Sequence, residues 1–419
     1  MKIAHTTKSQ WRLITAVTWG NVLAWYDIYL YAYWAQIIAK AFFNFQHPMH
    51  NLISTFVIFG MGFVVRPIGA IFFGRLGDLI GRRKTFILTI VLTTIPTFFI
   101  GCIPSYAQIG IFAPILLGVL RLLQAFPSAG EAPGTFCYLY ENATENNQKF
   151  ITSWGAFGNQ IGAILCVVEF FLMETFCSES FLIDWGWRIS FWTGGLIGLL
   201  GIYLRRKLHE TPSFRQLQDH HEVHRTHLKA VLNKYKGVIL KGTAYGAVNA
   251  ATFYLIASFI PHTLKDFFGL SLGINTLITL SILLLTTILL PVFGLMGDRF
   301  KCKHFMITST LLIMAMLPCL YAAINQVQFF HLTIIGLLFI IPLTCITALI
   351  PFLLSRLFPT SVRYTGMSLS FNLADGIIGG FTPAISLQLI HYTSNPAGFV
   401  WYILICSVIS LFAYMKIKE

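Results

Sequence analysis

Runs of roughly 20 apolar residues recur from one end of this chain to the other, and few folds can hold them. Each is long enough to cross a bilayer core about 30 Å thick. In such a core every backbone amide must find its partner inside the protein, so the runs read as helices. Twelve are read, over about 13–39, 52–73, 85–104, 111–139, 150–173, 187–204, 237–261, 273–296, 304–323, 330–355, 363–390 and 398–415. Charged residues make up 11% of the chain, against about 25% in a soluble domain. The first run is too long for a cleavable signal and carries Asp27 in its middle.

A net charge of +13 could suggest a nucleic-acid partner. Its placement argues against one. With both termini in the cytoplasm, the opposite face receives only Lys40, Arg188 and Lys265, and Arg66 and Arg121 lie inside spans. The other Lys and Arg residues fall on the cytoplasmic side, which is the positive-inside bias of a multi-pass protein. That basic face also attracts anionic lipid headgroups. Cys177 and Cys302 fall on opposite faces and the other six cysteines lie in apolar runs, so no disulfide framework and no metal site is read.

Between the sixth and seventh spans, residues 205–236 are polar and include His209, His220, His221, His224 and His227. Solvated histidines on a loop read as bystanders, and the segment as an amphipathic linker between domains 1–204 and 237–419. A short basic loop, Gly74-Arg75-Leu76-Gly77-Asp78-Leu79-Ile80-Gly81-Arg82-Arg83-Lys84, joins the second and third spans. A degraded copy, Gly294-Leu295-Met296-Gly297-Asp298-Arg299-Phe300-Lys301, joins the eighth and ninth. The same charged hairpin at matching places in two hydrophobic halves points to an internally duplicated transporter.

An ionisable group at the bilayer centre costs roughly 2.5–3.5 kcal/mol on insertion scales, so each one needs a reason. At 100° per residue, Gly20, Ala24, Asp27, Tyr31 and Trp34 share one face of the first helix, a polar-aromatic stripe suited to a cavity. The alternative is an Asp27 capped by a neighbouring helix with no transport role. On the fourth helix, Arg121, Gln124, Ser128 and Glu131 fall within about 80°, marking two levels of one aqueous path or a structural ion-pair network with Asp27 or Arg66. Arg66 either receives a substrate carboxylate in bidentate fashion or snorkels towards the cytoplasm. Gln160 lies on the fifth helix with Glu169 about 180° away, and Glu169 reads as a packing or snorkelling residue. In the second half, Tyr245, Asn249 and Thr252 line one face of the seventh helix, and Asn372, Asp375, Gly376 and Gly379 one face of the eleventh. The glycines there read as packing devices.

The hairpin resembles the signature loop of the major facilitator superfamily. Several segments resemble one branch of it, the metabolite:proton symporters, whose members carry proline/betaine, 2-oxoglutarate, citrate or shikimate. They are Gly20 to Tyr31, Val65 to Ala70, Arg121 to Gly134, Trp187 to Phe191, Leu204 to Pro212, Arg363 to Asn372 and Gly379 to Pro383. The resemblance implies an all-α fold of twelve transmembrane helices in two pseudosymmetric six-helix bundles, with alternating access driven by a proton gradient. It places Asp27, Arg66 and Glu131 on the family's charged membrane positions, Asp78 and Arg82 on its gating loop, and Arg121 on its fourth-helix arginine. Two departures stand out. Ala24 replaces a usual Glu, and Ala129-Gly130-Glu131-Ala132-Pro133-Gly134 replaces a Gly-Gly-Glu-Trp-Gly-Gly pattern.

The expected protein is therefore an inner-membrane importer, functional as a monomer, of a small carboxylate or amino-acid-like zwitterion with protons. An uncoupled facilitator and a membrane sensor are the rivals. Asp27 and Glu131 are assigned to proton coupling. Arg66, Tyr31, Gln124, Gln160, Tyr245, Asn249 and Asn372 are assigned to the substrate, and Asp78, Arg82, Arg121, Asp298 and Asp375 to gating. No enzyme is read, since no nucleophile–base set appears, and no cofactor, metal or nucleic acid is called for.

Overall fold

The computed structural model describes residues 7–44, 48–220, 228–256, 272–326 and 329–417. Among them are twelve long helices, named α1 to α12. The first six are α1 Lys8–Phe42, α2 Pro48–Ile80, α3 Arg82–Ile100, α4 Phe112–Asn142, α5 Gln148–Phe176 and α6 Trp187–Arg206. Then come α7 Leu228–Tyr254, α8 Leu272–Arg299, α9 Cys302–Asn325 and α10 Phe329–Leu357. The eleventh, α11, is built from Arg363–Asn372, a π-helical turn Leu373–Gly379 and Thr382–Thr393, and α12 is Val400–Met415. Seven of the described helices are long and apolar enough to cross a membrane by length and composition alone, and α12 is a shorter apolar helix.

The two halves meet chiefly along two helix pairs, α2 with α11 and α5 with α8, with α4 and α10 also contributing. These are equivalent pairs under the duplication, since α2 corresponds to α8 and α5 to α11. Both duplicated loops lie at the same end of this seam, which we term the basic face.

Prolines shape the seam. The fourth helix runs unbroken through Pro127 and Pro133 to Asn142, beyond the end expected near residue 139. Pro133 has no N–H, so the carbonyl four residues earlier, on Ala129, loses its partner within the helix. The Asn372 side-chain amide of α11 donates to that carbonyl at 2.8 Å. A polar group that lipid could not satisfy is thus satisfied from the other half of the chain.

The linker begins differently from expectation. Arg205 belongs to α6 and is fully buried, where the sequence reading had placed it in a solvated loop. Beyond it, Pro212–Asp219 forms a short amphipathic helix, started by the Thr211 hydroxyl accepting from the Phe214 N–H, with Phe214 buried. His221, His224, His227 and Lys265 lie outside the described residues.

Candidate functional site

A narrow cleft opens where α1, α2, α3 and α4 converge. Ala24, Asp27, Phe63, Arg66, Thr93, Arg121 and Ser128 line it, with Gly62 and Ala125, and they leave room for little more than a water molecule. Asp27 forms an ion pair with Arg121. Gln124 Nε2 donates to Asp27 Oδ1 at 2.7 Å and lies 2.6 Å from Thr97 Oγ1, while Arg121 donates to Gln124 Oε1 at 2.5 Å. The Tyr31 ring lies 4.7 Å beneath the Arg121 guanidinium. The stripe read on α1 and the arc read on α4 therefore converge on one cluster. Asp27 is held by a neighbouring helix, and the cleft wall is where it is held.

Arg66 does not snorkel. It is buried, lies over the Phe63 ring at 4.7 Å, and pairs with Asp375 of α11 at 3.2 Å. Tyr254 of α7 donates to the same carboxylate at 3.1 Å. Asp375 sits in the π-helical turn, a local widening frequent at functional sites. This pair therefore ties α2 to α11 across the seam, beside the cleft. Gly379 packs against the Tyr254 ring, where any side chain would collide, which agrees with a packing role.

Other residues of the sequence reading are placed elsewhere. Glu131 is buried behind the cleft wall, paired with Arg205 of α6 and hydrogen-bonded by Thr89 at 2.8 Å. It does not share an aqueous path with Arg121, because α4 turns it towards α3 and α6. Tyr245 packs on Tyr414 of α12 in the core of the second half. Asn249 accepts from Thr347 of α10 at 2.5 Å, and Gln160 is buried on α5 without lining the cleft. Asn372 is engaged with the Ala129 carbonyl. Helical spacing gives the direction of each side chain, but it could not say which neighbour each one meets.

At the basic face, the duplicated acids do one job twice. Asp78, at the end of α2, accepts from the Tyr364 N–H at 3.1 Å and from the Thr365 N–H and hydroxyl at 2.9 and 2.7 Å. It thereby caps the positive N-terminus of α11. Asp298, at the end of α8, accepts from the Lys149 and Phe150 N–H groups at 2.9 Å each and caps α5 in the same way. Each acid reaches across the seam into the other half.

Around Asp78 a charged network forms. Arg82 contacts Asp78 at 3.4 Å and engages Glu141 of α4 through two hydrogen bonds, of 3.1 and 3.2 Å. Arg82 also donates to the Thr360 carbonyl at 2.5 Å, and Arg363 pairs with Glu141 at 2.7 Å. Glu210 of the linker accepts from the backbone of Arg82 and Arg83, capping α3 where Gly81 turns with φ 107°. Between the halves, the Tyr364 ring fills a socket at Gly77 and Gly134, where a Cβ would collide with it, and its hydroxyl donates to the Gly130 carbonyl at 2.9 Å.

The sequence reading missed Glu141, Arg205, Glu210, Tyr254, Arg363 and Tyr364. It also missed the threonines at four-residue spacing on α3, Thr85, Thr89, Thr93 and Thr97, all buried. That stripe was a usable signal for a face turned away from lipid, although Thr89, Thr93 and Thr97 each also donate to a carbonyl of their own helix.

Three comparisons bear on this arrangement. A family model for sugar (and other) transporters matches residues 13–241. The proline/betaine transporter of Salmonella typhimurium is 32% identical over 97% of this chain and 83% of its own length. The citrate-proton symporter of Klebsiella pneumoniae is 36% identical over 96% and 90%. The crystal structure of the proton:xylose symporter XylE bound to 6-bromo-6-deoxy-D-glucose superposes with a TM-score of 0.83 at 16% identity, covering 98% of this chain and 96% of that one.

Proposed function

The chain belongs to the sugar (and other) transporter family of the major facilitator superfamily, and from that footing we propose that it imports a small zwitterionic or carboxylate solute together with protons. The observation that carries this reading is the Asp27–Arg121 pair on the cleft wall. While Asp27 is ionised, it occupies Arg121. Protonation of Asp27 removes the opposite charge and frees the guanidinium to take an anionic group of the solute. Proton and solute then bind together, and neither leaves a buried charge uncompensated.

The charge of the cleft bears on the solute class. Asp27 with Arg121 and Asp375 with Arg66 sum to zero. A single carboxylate carried with one proton preserves that balance, a zwitterion carried with one proton adds one positive charge, and a multiply charged anion needs further protons. Asp375 and a solute carboxylate compete for Arg66, so solute binding loosens a tie across the seam. Residues 1–204 and 237–419 act as the two rocking bundles, joined by 205–236. The basic face and both termini are cytoplasmic, and the protein works as a monomer in the bacterial inner membrane.

The test is uptake in proteoliposomes with labelled proline, glycine betaine and citrate as probes, in the presence and absence of a proton gradient. Asp27→Asn should abolish gradient-driven accumulation while sparing solute exchange. Accumulation of any probe by this variant with an unchanged pH profile would remove Asp27 from coupling. Wild-type transport indifferent to the gradient would favour an uncoupled facilitator, consistent with Ala24 presenting no carboxyl to the cleft.

A further inference from the structure

The membrane carboxylates described above each lie against a guanidinium: Asp27 against Arg121, Asp375 against Arg66 and Glu131 against Arg205. Glu169 of α5 differs. It is half-buried, seven residues or about 10 Å before the end of its helix on the face opposite the basic loops. No ion pair reaches it among the described residues. Its partners are neutral: the Tyr26 hydroxyl of α1, and the Ser190 and Thr193 hydroxyls of α6.

The Tyr26 oxygen is hydrogen-bonded to the Glu169 carboxyl and also lies 2.8 Å from the Ser190 backbone carbonyl oxygen. A carbonyl oxygen can only accept, and a phenol has a single proton to donate. Two full, unshared bonds need a second proton, and within this chain of contacts the carboxyl is the group that can supply it. With the carboxyl protonated, Glu169 donates to the Tyr26 oxygen and Tyr26 donates to the Ser190 carbonyl.

We propose that Glu169 is a second proton-binding site of this transporter, protonated in this conformation and linked to α1 through Tyr26. The remaining titratable neighbour on α5 is Cys166, which also faces Asp27. From α1 the facing group is Tyr26, and from α6 only the two hydroxyls face it. On release, the carboxyl O–H bond breaks and the proton passes to water at the open side of Glu169. Tyr26 then turns its one proton to the carboxylate, and the Ser190 carbonyl loses its bond from α1. Tyr26 is fully buried and immediately precedes Asp27, so this change alters the hold on α1 next to the cleft carboxylate.

The test uses purified full-length protein without solute, so its failure would leave the Asp27 reading standing. In infrared difference spectra between acid and alkaline pH, wild type should show a protonated-carboxyl C=O band that is missing in Glu169→Gln and shifted in Tyr26→Phe. The thermal-unfolding midpoint of wild type should fall as pH rises and Glu169 deprotonates, because the folded state then holds a proton that the unfolded state gives up more readily. Glu169→Gln should flatten that dependence. A band intact in Glu169→Gln overturns the proposal, as does an unchanged pH dependence of unfolding. A band lost in Glu169→Gln but unmoved by Tyr26→Phe overturns the link to α1. Should Glu169→Gln fail to fold, the Tyr26→Phe band shift decides alone.

Discussion

The loops after α2 and α8 descend from one pattern, yet they lock the seam unequally. Both place an acid, Asp78 or Asp298, on two backbone N–H groups of a helix in the other half. The positions that follow have diverged. Where the first loop begins α3 with Arg82, the second begins α9 with Cys302, which is buried. The fourth helix ends near Glu141, which gathers Arg82, Arg363 and the Thr211 hydroxyl. Its counterpart α10 ends in Ser355-Arg356-Leu357, with no acid. On the Asp298 side, the tie is reinforced by Lys149 donating to the Gly297 carbonyl at 2.6 Å. The acid is thus the unit both halves keep. The guanidinium–carboxylate network is what the first side adds, and removing one partner from such a buried pair is costly.

The largest effect should come from Glu141→Ala, which removes the buried carboxylate that Arg82 and Arg363 share and leaves Arg82 with only Asp78 as a charged partner. Removing one partner of a buried pair costs about 3–5 kcal/mol. The thermal-unfolding midpoint in detergent should fall further than for any substitution at Asp298. An unchanged midpoint would mean the arginines find other partners, and the inequality between the latches would disappear.

Asp78→Asn should act next. It keeps the shape but removes the charge from the N-terminus of α11, worth up to about 2 kcal/mol in a partly buried setting. Solute exchange should slow roughly ten- to thirty-fold, with the solute Kd nearly constant. If affinity collapses while the rate holds, Asp78 belongs to the binding site and not to the gate.

Asp298→Asn should be mildest, about 0.3–1 kcal/mol, slowing exchange by less than about fivefold. Equal slowing by the Asp78 and Asp298 variants would show that the arginine network adds nothing to the latch.

Much of this was legible in advance, and the limits were physical. Spans, duplication and the basic face follow from local composition, which fixes how a segment partitions between lipid and water. Asp27 and Arg121 could be singled out because each is costly alone in a membrane. Their pairing, 94 residues apart in sequence, could not be read. Glu141 and Arg363 escaped notice because they sit at helix ends, where a charge costs little and draws no attention until three elements bury it. Arg66 left two readings open, and the packing of α11 against α2 decided between them and a third, the pair with Asp375.

By itself the sequence determined that this chain lies in a bilayer as two related helical halves with its basic loops on one side. Those properties depend on free energies of transfer summed residue by residue. Only the tertiary structure decided which charges neutralise one another, that Asn372 answers the carbonyl freed by Pro133, and that Glu169 faces hydroxyls instead of a cation. Each of these is a contact between helices distant in sequence, and helical periodicity sets the direction of a side chain without naming what it will meet.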